Sequence, residues 1–195
     1  VKNGVIYERK ELPIDPYILG LWLGDGTSEC GQITVGKRDI IEIVNNIKDK
    51  QQFDNIIVTE RKYNNSYTVT PTSFLQRKTK SLRSLLRKNN LLNNKHIPPI
   101  YLFSDRNQRL ELLKGLIDSD GYVSNTKYPH VHFYNTNIDL VKQVHELVSS
   151  LGYKANYREY TPKLKGIECK KAAEVVFYPR ENVCNLSFKL NKIKY

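Results

Sequence analysis

Hydrophobic positions along the chain follow the helical and the strand period by turns, and they do so twice in the same order. Lys2 to Pro16 reads as an extended lead-in, with Asp15 as a capping residue and Pro16 at the first position of a helix that continues through LGLWLGDG. Gln32 to Val35 alternates polar with apolar, and Asp39 opens an apolar-periodic helix, IIEIVNNI. Short β-rich runs at Ile56 to Glu60 and Tyr67 to Thr70 flank an Asn65-Ser66 turn; Ser73 to Asn89 predicts a basic helix, and Asn93 to Pro99 a linker. The second round has a helix from Ser104 or Asp105 to Ser119, a strand at His130 to Tyr134, a helix at Ile138 to Leu151, strands at Tyr153 to Tyr160 and Ala172 to Tyr178, and a last helix from about Arg180. Ile33-Thr34-Val35 and Ile40 align with Val131-His132-Phe133 and Ile138 at one constant offset. Each half is therefore expected to run α-β-α-β-β-α or close to it.

The repeat is sharpest in two segments, LGLWLGDG at Leu19 to Gly26 and LKGLIDSDG at Leu113 to Gly121. In each, a small residue returns four places on, Gly20 and Gly24 in the first copy and Gly115 and Ser119 in the second. Positions i and i+4 share a helix face, so each copy offers a strip where another backbone can approach. If the two strips pack on each other, the aspartates that follow them, Asp25 and Asp120, come together. Gly26 and Gly121 read as helix stops, which puts both acids at the negative end of a helix dipole. Repulsion and dipole both oppose that arrangement, and a bound divalent cation relieves both. An amphipathic helix that happens to end in Asp-Gly explains one copy; it does not explain two.

These segments resemble the paired dodecapeptide motifs of the LAGLIDADG homing endonucleases, and IDPYILGLWLGDG with KHIPPIYLFSDRNQRLELLKGLIDSDG is most similar to the endonuclease domain of inteins. The resemblance implies an α+β fold of two pseudo-symmetric αββαββα-like halves, 1–95 and 96–195, packed through the motif helices with a β-sheet saddle for DNA. It also implies a site-specific, metal-dependent endonuclease that makes a staggered double-strand break, with Asp25 and Asp120 as metal ligands for Mg2+ or Mn2+. The first acidic letter of the motif is missing at Leu23, whereas the second copy keeps Asp118. Lys95, in KHIPPIYLF, stands where similar intein endonucleases carry an active-site lysine. Its symmetry mate is expected near the C-terminus, at Lys194 or Lys192, and the sequence does not choose between them.

Charge supports the same partner. Lys and Arg number 31 against 20 Asp and Glu, a net +11 that suits a polyanion. Its distribution says more. Arg61 to Ser104 holds nine basic residues and no acid, and Tyr153 to Tyr195 ten against four, at corresponding places of the two halves. A duplex gripped on both sides of a pseudo-dyad by a single chain accounts for that. On the strands, alternation turns His130, His132 and Tyr134 away from Val131 and Phe133, and sets Lys154, Asn156, Arg158 and Tyr160 opposite Ala155 and Tyr157. With Gln32, Thr34, Arg61, Lys62, Arg77, Lys78 and Lys80 these are the candidate DNA contacts, mixing donors and acceptors as base reading in a major groove requires. A solvated sheet face is the plainer alternative for any one of them.

Other classes fit poorly. Cys30, Cys169 and Cys184 have no zinc spacing and no even count, which predicts a reducing intracellular compartment, cytoplasm or nucleus, and not secretion. No apolar run reaches the length of a membrane span. The absence of any methionine suggests a processed or excised piece, although Val1 is not a splicing nucleophile and the chain does not end in His-Asn. His130 and His132 share a strand face but lack a third ligand nearby. A phosphate loop at Gly24-Asp25-Gly26 is disfavoured because those glycines end a helix, where carbonyls point outward. The remaining rival is a relative that keeps the fold without cutting, such as an RNA maturase or a DNA-binding regulator.

Overall fold

The structure is a computed structural model that describes residues 4–62 and 64–193. The first half consists of α1 (Pro16–Asp25), β1 (Ile33–Gly36), α2 (Ile40–Asp49), β2 (Asn55–Arg61), β3 (Ser66–Thr72) and α3 (Leu82–Lys88). A single-turn α4 (Pro99–Leu102) leads into the second, with α5 (Arg106–Asp120), β4 (Gly121–Val123), β5 (Val131–Asn135), α6 (Ile138–Ser150), β6 (Ala155–Tyr160), a small hairpin of β7 (Lys163–Leu164) and β8 (Ile167–Glu168), β9 (Ala172–Phe177) and α7 (Ser187–Leu190). The fold is α+β. The order α-β-α-β-β-α recurs as expected, and β4 completes αββαββα in the second half, where the first has only a bridge between Gly26 and Ile33.

The two larger sheets are antiparallel throughout and repeat one topology. β3 lies between β1 and β2, and β9 lies between β5 and β6, with β4 added outside β5. Ile33 pairs with Val69 as Val131 pairs with Phe177, so β1 and β5, which the sequence offset relates, meet their central strands in the same register. The inward faces carry Ile33, Val35 and Val69, and Val131, Phe133, Val175 and Phe177, all buried. α2 and α6 cover them with Ile43 and Ile47, and with Leu140, Val144 and Leu147.

Between the sheets run α1 and α5, and their contact is backbone on backbone. A Cβ on Gly20 would stand 2.4 Å from the Leu112 carbonyl oxygen, and one on Gly115 would stand 2.1 Å from that of Tyr17. No side chain fits there. α1 is consequently buried on every side, from Tyr17 to Leu23, which explains why its apolar run shows no polar face. Asp15 accepts from the Tyr17 and Ile18 amides and starts α1, while Asp105 accepts from Gln108 and starts α5. Gly26 and Gly121 end the helices in extended, not left-handed, backbone. They are glycines because a Cβ would press within 2.3 Å of the Trp22 carbonyl oxygen and 2.6 Å of the Ile117 Cα.

Two helices are shorter than their sequence suggests. Residues 73–81 leave the helical path because Asp54 takes hydrogen bonds from Ser73 Oγ and the Phe74 amide, so α3 waits for the Ser81 cap. The last helix begins at Ser187, not Arg180, because the Asn185 and Leu186 amides donate to the buried Asp118 carboxylate. The lead-in is held by Arg109, buried and without an ion-pair partner among the described residues, which donates to the carbonyls of Ser104 and Val5 and to Ser150 Oγ.

Candidate functional site

Because α1 and α5 touch along their glycines, their C-terminal ends leave the contact side by side. At Gly24 a Cβ would lie 2.1 Å from Ser119 Oγ and 3.2 Å from Asp120 Cβ, so Asp25 and Asp120 emerge from adjoining turns. The structure thus brings together the two acids that the repeat singles out. Asp120 accepts from Asn135 Nδ2 at 3.0 Å, while Asp25 is the more exposed residue of the two. Burial of the surrounding protein, and next the nearby Asp25 charge, push the Asp120 carboxyl up to about 6. Burial raises Asp25 as well, against the pull of Lys95 and Lys189.

Lys95 reaches the end of α1 and donates to the carbonyls of Leu23 and Gly24, at 3.1 and 3.2 Å. A lysine at a helix C-terminus offsets the dipole, and this one also faces both carboxylates. Burial draws it down to about 8 although Asp25 and Asp120 oppose that shift. Its counterpart at the end of α5 is Lys189, whose Nζ donates to the Ile117 and Asp118 carbonyls at 2.6 and 2.9 Å. Burial lowers Lys189 too, and its charge acts on both aspartates. The mate of Lys95 is therefore not Lys192, which binds the Val123 carbonyl and lies over the Tyr122 and Phe188 rings. Lys194 lies outside the described residues. One signal does point to Lys189: Lys95 stands 70 residues after Asp25, and Lys189 69 after Asp120.

Asp118, the acid that Leu23 lacks, has a different task. It is buried, accepts from Tyr17 Oη at 2.8 Å and from the Asn185 and Leu186 amides, and so anchors the segment that delivers Lys189. A cleft of about 30 Å³ runs between Asp25, Asp39, Thr34 and Ser119, room for about one water molecule.

The candidate DNA contacts fall into two groups. Gln32 and Thr34 of the first half, and His130, His132, Tyr134, Lys154, Asn156 and Arg158 of the second, lie on or beside the outward sheet faces, with Arg61 and Lys62 at the exposed end of β2. Arg77, Lys78 and Lys80 sit in the exposed connection before α3, not on a helix; Arg77 and Lys78 line a shallow cleft with Arg83 and Arg87. Sequence reading missed Glu174, an acid on this outward face, which binds His132 and Arg158. Its position inside the apolar run Ala172 to Phe177 hides it.

The crowded carboxylates make a stability prediction. Between the ordinary carboxyl value of 3.8 and about 6, the folded protein holds the Asp120 proton and the unfolded chain has lost it. Stability in metal-free buffer is expected to fall as pH rises through that window and to level off above it, by about 1 to 3 kcal/mol. Thermal melts at pH 4.5 and 7 test this. The decline should shrink in Asp120→Asn.

Residues 107–188, in the second half, match the model of a LAGLIDADG-like domain. A replicative DNA helicase DnaB of Mycobacterium intracellulare is 37% identical over 111 residues; these are 57% of this chain and 15% of the helicase, so the chain spans a small part of that relative. A solved structure of an I-DmoI variant, in complex with its target DNA nicked in the coding strand and in the presence of 2 mM manganese, superposes with a TM-score of 0.51 over 85% of this chain and 88% of that one, at 15% identity. By sequence, residues 107–188 are similar to a LAGLIDADG-like domain, and over most of its length the chain shares the fold of the I-DmoI structure.

Proposed function

We propose that the protein is a site-specific DNA endonuclease that makes a double-strand break in a long target, acting as a single chain with Mg2+ or Mn2+. The observation that carries this reading is the meeting of Asp25 and Asp120 at touching helix ends, each end closed by a lysine. Stability alone gives no reason to gather two acids in a crowded place where each raises the cost of ionising the other. The donor set suits a hard cation. Among the described residues no third His, Cys, Asp or Glu joins a cluster, so water and phosphate oxygens must complete the coordination, as magnesium accepts.

When bound, such an ion makes a water acidic and neutralises charge on the phosphate and the leaving oxygen. The chain's own groups do the remainder. Asp25 and Asp120 hold the negative charge against which the ion and its water are oriented. Lys95 and Lys189, fixed on the helix-end carbonyls, supply positive charge beside each scissile phosphate as the pentavalent state forms. Each half contributes one acid and one lysine, so each serves one strand. The outward sheet faces and the basic regions hold the duplex, with an affinity expected to fall steeply with salt. Similarity to a small part of a helicase chain fits an endonuclease carried within a host protein.

Incubating the protein with a random-sequence plasmid library and magnesium, then sequencing the ends, tests the reading directly. Ends sharing one long sequence support it. A library bound selectively but left intact would identify instead a non-cleaving relative. Lys95→Met and Lys189→Met, which keep the aliphatic stem, are each expected to slow hydrolysis by about 100-fold and to accumulate nicked plasmid, with little change in binding. If their whole effect is a salt-sensitive loss of affinity, the lysines are phosphate contacts only.

A further inference from the structure

The halves share a register, yet their outward faces carry different residues, and one of the differences is an ion pair present in only one half. Arg61 of β2 pairs across the sheet with Ser66 of β3, and at the corresponding place Arg158 of β6 pairs with Glu174 of β9. Thr34 in the first half corresponds to His132 in the second. The serine leaves Arg61 without an ion-pair partner among the described residues, whereas Arg158 donates from Nε to Glu174 Oε2 at 2.6 Å. Glu174 is only 6% exposed, and its other oxygen bonds His132 Nδ1. Burial pushes its carboxyl up, but the bonds from His132 and Arg158 outweigh that and hold it below the usual range. His132 is braced in turn by the rings of His130 and Tyr122, at 4.8 and 5.8 Å. Arg158 lies over the Tyr160 ring, 5.3 Å from its centre.

With both oxygens occupied and almost no exposure, Glu174 cannot itself accept from a base. Arg158 has committed Nε to it, yet its side chain is still 69% exposed. Among the described residues no hydrogen bond takes up its two Nη groups, and the Nε bond restrains the guanidinium that carries this pair of donors from swinging to a phosphate. Such a fork matches the O6 and N7 acceptors of guanine in a major groove. An unrestrained arginine such as Arg61 has no such bias and is drawn to the nearest phosphate.

We propose that Arg158 reads one guanine of the DNA target, that Glu174 with His132 is the device that positions it, and that Arg61, at the equivalent place, reads none. The target is thereby asymmetric at these two places. This rests on the reading of the chain as a sequence-specific DNA-binding nuclease, and the test separates the two. Bound duplexes are recovered from a randomised library in metal-free buffer, where no cutting occurs, and sequenced for the wild type and for Arg158→Lys, Arg61→Lys and Glu174→Gln. Arg158→Lys keeps the charge but not the fork. It is expected to lose a guanine preference at one position by about 5- to 150-fold, the equivalent of about 1 to 3 kcal/mol, with affinity for random DNA unchanged. Arg61→Lys should leave every base preference intact. Glu174→Gln should weaken preference at the same position as Arg158→Lys, while affinity for random DNA holds or rises because a negative charge is gone. An enriched site that Arg158→Lys leaves unaltered overturns the proposal alone; so does a Glu174→Gln loss spread over many positions together with a lowered melting temperature. No enriched sequence at all overturns the nuclease reading with it.

Discussion

Asparagine in place of Asp25 or Asp120 is expected to yield a protein that binds DNA with near-normal affinity, melts at a higher temperature without metal, and no longer cuts. The three outcomes have one cause. Asparagine is nearly isosteric and still offers Asn135 an acceptor at position 120, so the fold keeps its contacts. The replaced charge is one the native state tolerates poorly, since burial and the Asp25 carboxylate hold Asp120 up to about 6. Removing it at pH 7 returns part of about 1 to 3 kcal/mol, which for a chain of this size is about 2 to 4 °C per kcal/mol. DNA affinity cannot suffer from the loss of a negative charge near phosphate. Cleavage should fall by about 1000-fold or more, because a carboxylate that holds the ion has no neutral substitute. Calorimetry, a binding assay and plasmid cleavage on the same preparations decide it. Retained cutting in either variant removes the acids from the chemistry, and an unchanged or lower melting temperature means they are not in conflict.

The helix pair is legible in the sequence because close approach is enforced one residue at a time: only glycine survives at 20 and 115, and four-residue spacing then fixes which side of each helix is bare. The order of strands and helices is legible for a similar reason, since the offset linking Ile33 to Val131 and Ile40 to Ile138 leaves one register in which apolar faces match. What escapes are features set by a partner distant in sequence. The early end of helical backbone before Ser81 depends on Asp54, and the late start of α7 on Asp118, neither of which leaves a local trace. Lys189 looks like one basic residue among several near the end of the chain until its distance from Asp120 is compared with that of Lys95 from Asp25. Glu174 is hidden by its own burial, because an acid within an apolar strand shows its purpose only when His132 and Arg158 arrive from other strands. The glycines after each aspartate are legible as helix ends, but their cause is a lack of room and not a left-handed turn.

Leucine at Gly20 or Gly115 is expected to damage stability and cutting together, and the geometry says by which route. A Cβ at either place would meet backbone of the opposite helix at 2.1 to 2.4 Å, so no rotamer relieves the clash and the helix axes must separate. Overpacking a core usually costs about 1 to 3 kcal/mol, and more where the obstructing atoms are main chain. Separation also acts at the far end of the pair. Asp25 and Asp120 leave adjoining turns, and Lys95 and Lys189 are fixed on the carbonyls of those turns, so all four groups move with the axes. A displacement of about 1 Å at a reacting centre can cost roughly 100-fold in rate, even in molecules that remain folded. Gly36→Ala provides the contrast, since a Cβ there meets nothing closer than Asp39 Oδ2 at 3.9 Å. It should melt and cut like the parent protein. Melting curves and single-turnover cleavage rates for Gly20→Leu, Gly115→Leu and Gly36→Ala test the coupling. A Gly115→Leu protein that melts and cuts normally would mean that the helices do not meet at their glycines and that Asp25 and Asp120 are not held together by that contact.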